Sequence, residues 1–169
     1  MISSRLRRVV FVAAAVALAG LMVASGVEAQ TPVRQAAQVK VTKAKSAAMH
    51  KVAIQVNQND KVVMDLALNN AKNVLDYYKD KGETVAIEIV TYGPGLHMLR
   101  ADTSPVKERI APMSLENSNL KFIACGNTQA NQAKAEGKPV TLISEAKVMP
   151  SGVVRLMELQ KQGYAYIRP

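Results

Sequence analysis

Cys125 is the only cysteine in a chain of 169 residues, and it stands at the end of an apolar run. Leu120, Lys121, Phe122, Ile123, Ala124 and Cys125 read as a buried strand delivering a thiol to a turn. Gly126, Asn127 and Thr128 are turn and helix-capping types, and residues 129–136 are rich in helix formers such as Ala130, Gln132, Ala133 and Lys134. Cys125 therefore falls where a strand hands over to a helix. In an open α/β sheet the ligand crevice lies beyond the carboxyl ends of the strands, and the free N–H groups of a helix start favour an anion. A thiolate is an anion, so this placement predicts a thiol of lowered pKa that acts as a nucleophile or sulfur carrier. The same residue also fits an inert place in the core, where apolar burial would raise its pKa.

A second chemically equipped stretch runs from Tyr92 through Gly93, Pro94, Gly95, Leu96, His97, Met98 and Leu99 to Arg100. Two glycines around a proline let the backbone approach something closely, while Tyr92, His97 and Arg100 supply a hydroxyl, an imidazole and a guanidinium. This loop is expected to share an edge of the sheet with Cys125. His97 would be the base that polarises the thiol, or a packed histidine between Leu96 and Met98. Arg100 would hold an anionic substrate, or pair with Asp102. Asn57 and Asn59, after the first strand, and Gly126 and Asn127, after Cys125, complete the candidate ligand-binding set. The two early asparagines also serve as ordinary turn and cap residues.

The elements that must position these groups alternate in type. Residues 51–56 alternate like a first strand, and Asp60 is a good N-cap for a helix over residues 61–81. In that helix Val63, Leu66, Ala67, Asn70, Val74 and Tyr78 fall on one face, and Gly82 ends it. Residues 84–90 form a second strand, joined to the first by a right-handed parallel crossover. Ser104 and Pro105 start a helix reaching Glu116. Beyond Gly137, either residues 140–143 or residues 146–149 supply a fourth strand. Ser151 caps a helix over residues 153–162, and Tyr164 to Ile167 alternate as a final strand.

Charge and composition narrow the function. The formal charge is +9, but Arg5, Arg7 and Arg8 against Glu28 place +2 in residues 1–29, Arg34, Lys40, Lys43 and Lys45 place +4 in residues 30–49, and +3 remains for the rest. With 4% aromatic residues and no Trp the chain is not a stacking platform for bases, and nucleic acid is not expected as a partner. Three early arginines, an apolar stretch from Val9 to Val23 and the small residues before Gln30 form a secretory signal, cleaved after Ala29. Residues 30–49 then form a flexible basic linker, and residues 50–169 a single domain in the periplasm. Export leaves Cys125 without an internal disulfide partner. Metal chemistry has only His50 and His97 to draw on, a Gly-x-Ser-x-Gly elbow is missing, and Met98 breaks any dinucleotide-type glycine motif. No cofactor is expected.

Two short segments carry a resemblance. Phe122-Ile123-Ala124-Cys125-Gly126-Asn127 and Pro150-Ser151-Gly152-Val153, with the Gly-Pro-Gly loop before them and a closing Gly163-Tyr164-Ala165-Tyr166-Ile167, resemble the DsrE/DsrF-like family, which includes YchN-like proteins. The resemblance spans roughly residues 50–169. It implies a three-layer α/β/α domain with a mostly parallel sheet of about five strands that assembles into oligomers, here a homo-oligomer. In the sulfur-relay members, a cysteine after the third strand carries persulfide sulfur between donor and acceptor proteins, and Cys125 matches that position. The relay members work in the cytoplasm and some carry a second nearby cysteine, whereas this chain has a leader and one thiol. A sulfurtransferase-like carrier is one expectation; the other is a non-catalytic oligomeric module that binds a small ligand while Cys125 only packs.

Overall fold

The computed structural model describes residues 49–169. The expected signal segment and all of the linker but Met49 lie outside the described residues. Five strands, β1 (His50–Val56), β2 (Val85–Thr91), β3 (Leu120–Cys125), β4 (Ala146–Met149) and β5 (Ala165–Ile167), form one sheet in the order β4-β3-β2-β1-β5. Every pairing is parallel. The helices are α1 (Lys61–Asp80), α2 (Lys107–Glu116), α3 (Gly126–Glu136) and α4 (Gly152–Lys161), with a 3-10 helix at Gly93–Leu99. Layers of helix on both sheet faces make this a three-layer α/β/α fold.

The two faces are unequal. Val52, Ile54 and Val56 of β1, Ile87 and Ile89 of β2, and Phe122 of β3 point into a large core with Met64, Ala67, Leu68 and Ala71 of α1 and Ile110 of α2. The opposite face holds a small core, in which Ala53, Val90 and Ile123 meet Leu156 and Leu159 of α4. Strand alternation assigns successive residues to opposite faces, so Ile123 and Cys125 share the α4 side.

Chain direction explains why α4 lies alone. From β1 to β4 the chain steps across the sheet in one sense, and it then returns from the β4 edge to place β5 beside β1. Right-handed crossovers running in opposite senses put their helices on opposite faces. The connections leaving β3 and β4, which are neighbours, therefore diverge. That divergence is a topological switch point, the place where an open sheet of this kind forms its crevice.

Three local expectations change and one alternative is decided. The buried stripe of α1 is Met64, Ala67, Leu68 and Ala71, while Leu66 is 43% exposed, so the helix is rotated relative to the face read from sequence. The α2 helix begins at Lys107, not Pro105; the Ser104 hydroxyl donates to the Met98 carbonyl at 2.5 Å and accepts from the Val106 amide at 3.4 Å, holding a turn ahead of the helix. Residues 146–149, not 140–143, supply the fourth strand. Helix α3 starts at Gly126 with no intervening turn, which makes Cys125 itself the N-cap residue.

Candidate functional site

Cys125 ends β3 opposite Met149 of β4, at the switch point. It has 5% of its surface exposed and no disulfide partner. Two helix starts converge on it. Cys125 heads α3, so the Asn127 and Thr128 amides lie in the first turn over the sulfur. Gly152, the first residue of α4, contributes a third amide from the other side. N–H groups in a first turn have no intrahelical acceptor and carry the positive end of the helix dipole. Burial pushes the Cys125 thiol up. The Thr128 hydroxyl, and after it the amides of Gly152, Thr128 and Asn127, more than reverse that push, so the thiol lies below its ordinary value.

Close packing depends on a glycine. A Cβ on Gly152 would stand 3.1 Å from Tyr92 Cβ and 3.3 Å from Cys125 Cβ, so only glycine lets the head of α4 settle against both without displacing them. The two helix starts are also joined directly, by the Asn127 amide donating to the Pro150 carbonyl at 3.1 Å.

Tyr92 packs into this junction, and burial pushes its phenol up, which keeps the hydroxyl neutral. Gly93 has φ +53° and donates its amide to the Thr128 hydroxyl oxygen at 2.9 Å. Gly126 abuts the end of β4. Tyr92, Gly93, Gly126 and Asn127 thus lie around Cys125.

The remaining candidates sit elsewhere. Gly95 is buried beneath β1, where an added Cβ would lie 2.2 Å from the Val56 carbonyl oxygen. Its close approach is to the chain itself. His97 bonds through Nδ1 to the Thr103 hydroxyl at 2.7 Å, and the groups named above as acting on the thiol do not include it. With Asn59, Gly93, Thr128 and Gln132, His97 lines a crevice of about 440 Å³ beside the α3 helix. Asn57 is half-buried at the end of β1, and Asn59 is exposed.

Arg100 is 1% exposed and bonds Asp102, Gln132 and Glu136. Bonds to Glu136 and then to Asp102 push its guanidinium up, and both carboxyls are held below the usual carboxylate range by Arg100.

Sequence reasoning missed Thr128 and Gly152 as parts of the site. Thr128 had a signal in its spacing: a residue three places after an N-cap faces the capping side chain. That spacing becomes readable only once α3 is known to start at Gly126.

The fold and site define a small α/β/α domain with a buried cysteine at a switch point of its parallel sheet. The domain is similar to the solved structure of MTH1491 from Methanobacterium thermoautotrophicum, a protein of unknown function, with a TM-score of 0.60 and 29% identity over 71% of this chain and 99% of that one. No family model matches the chain, and no curated protein does. Among the described residues no helix is long and apolar enough to cross a membrane.

Proposed function

We propose that residues 50–169 form a DsrE-like sulfur carrier, exported to the periplasm after cleavage at Ala29 and working as a homo-oligomer between a sulfur donor and an acceptor. The observation that carries this reading is the convergence of the α3 and α4 starts, with the Thr128 hydroxyl, on the only sulfhydryl in the chain. A thiolate so placed is a nucleophile, and the same amides suit the anionic persulfide that would follow. With thiosulfate as donor, the Cys125 thiolate attacks the outer sulfur. The sulfur–sulfur bond of thiosulfate breaks, sulfite leaves with the bonding pair, and Cys125 retains an anionic persulfide. An acceptor thiolate then takes the terminal sulfur and regenerates the Cys125 thiolate.

Incubating the purified domain with thiosulfate or polysulfide and weighing it intact tests the reading. A mass gain of one sulfur atom, absent in Cys125→Ser, is the expected result. The 5% exposure of Cys125 favours a second reading, a ligand-binding module in which the crevice beside His97 and Gln132 does the work. A thiol that neither gains sulfur nor reacts with iodoacetamide at neutral pH would favour that module.

A further inference from the structure

Arg100 is buried, and all five of its N–H donors are spent inside the domain. Nε donates to Asp102 Oδ1 at 2.9 Å, and one terminal nitrogen donates to Asp102 Oδ2 at 2.7 Å and Glu136 Oε2 at 2.9 Å. The other donates to Glu136 Oε1 and to Gln132 Oε1, the latter at 3.2 Å. No donor remains for a substrate anion. Instead, the bonds continue toward the sulfur.

Gln132, held by its oxygen, directs Nε2 to the Gly93 carbonyl at 3.3 Å. Gly93 in turn directs its amide to the Thr128 hydroxyl oxygen at 2.9 Å. An oxygen accepting from that amide turns its own proton elsewhere, and Thr128, the third residue after the N-cap Cys125, stands in the first turn beside the sulfur, whose pKa it helps to lower. Helix α3 has no fully buried residue, so apolar burial contributes little to holding it. Its side-chain ties are these bonds and one from Gln129 to the Val140 carbonyl at 2.8 Å.

We propose that Arg100 is a positioning residue for Cys125: it fixes α3 through Glu136 and Gln132 and, by way of Gly93, holds the Thr128 hydroxyl beside the sulfur. The inference rests on Cys125 being the reactive group of the proposed carrier, but it concerns the thiol and not the origin of the sulfur. Arg100 touches no reacting atom and acts only through the side chains between.

The test is the rate of Cys125 alkylation by iodoacetamide as a function of pH, with the ultraviolet absorbance of the thiolate as a second readout and thermal melting as a control. Thr128→Val is expected to raise the thiol pKa by about one unit, leaving ~10-fold less thiolate at pH values below both midpoints. Thr128→Ser keeps the hydroxyl and restores the original profile. Gln132→Ala, a good helix former at a half-buried helix position, is expected to slow alkylation about threefold in the same pH range with little change in melting, a shift of roughly half a unit. Adding Gln132→Ala to Thr128→Val is expected to do nothing more, because the relay ends in the missing hydroxyl.

Arg100→Lys keeps the charge but loses the planar fork, and is expected to shift the profile at least as far as Gln132→Ala does. If that variant fails to fold, Gln132→Ala decides. A wild-type pH profile in Gln132→Ala, or effects of Gln132→Ala and Thr128→Val that multiply, would overturn the proposal. The alkylation profile is read without any sulfur donor, so failure of sulfur loading would count against the carrier and leave this inference standing.

Discussion

Helices α3 and α4 begin side by side and direct amides at the same sulfur, yet they are attached to the domain by opposite means. The α4 helix sinks Leu156 and Leu159 into the small core and sends Arg155 to Glu88, 2% exposed at the middle of the sheet, through bonds of 2.6 and 2.9 Å. The α3 helix has no fully buried residue and is tied by Arg100, a few side-chain amides and the main-chain bond from Asn127 to Pro150. Apolar burial is non-directional and indifferent to pH, whereas hydrogen bonds and ion pairs fix angles and titrate. The α4 side of the thiol environment thus has an apolar anchor in addition to its ion pair, and the α3 side rests mainly on polar bonds.

The contrast is sharpest in its largest expected effect. Glu88→Ala strands the Arg155 guanidinium against the sheet and is expected to cost about 3–5 kcal/mol in urea unfolding. Leu159→Ala, which empties a fully buried position of the small core, is expected to cost about 2–5 kcal/mol. Losses below about 1 kcal/mol in both would show that α4 is not so anchored.

Acid should act on the other helix first. Asp102 and Glu136 have folded pKa values below their ordinary ones, so their contribution is complete above the usual carboxylate range near ~4 and fades as pH falls through the lowered values. Amide hydrogen exchange followed by mass spectrometry down that range, corrected for the pH dependence of intrinsic exchange, is expected to show α3 losing protection before α4. Loss of both together would erase the distinction between the two sides.

Much of the fold can be read from the residues, and the failures have physical causes. Alternation in β1 and β2, the apolar run into Cys125, and the caps Asp60 and Ser151 each report a local preference that tertiary packing respects. The α1 stripe was misplaced because Val63, Leu66 and Asn70 satisfy helical spacing as well as Met64, Leu68 and Ala71 do, and only the sheet beneath decides between the two faces. The glycines at 93 and 95 signal close backbone approach without saying to what, and Gly95 meets Val56. Arg100 shows the same limit for charge. Asp102 lies two residues away and was visible as a partner, whereas Glu136, 36 residues on, becomes its partner only when α3 is laid beside the 3-10 helix. Thr128 was legible as a capping type. Its place beside the sulfur is hidden when the helix start is set three residues late.

Cys125 occupies the head of α3, where the first-turn amides face its sulfur but none reaches it in a capping hydrogen bond. Serine, a preferred residue at such a position, fastens a helix start by about 0.5–2 kcal/mol relative to residues that cannot accept a bond there. Exchanging one atom, oxygen in place of sulfur in Cys125→Ser, is therefore expected to raise the unfolding free energy measured in urea by about 0.5–1 kcal/mol while abolishing sulfur uptake. The domain would thus forgo available robustness at the single position where its proposed chemistry is concentrated, and a serine variant that outlasts the parent protein would make that compromise measurable.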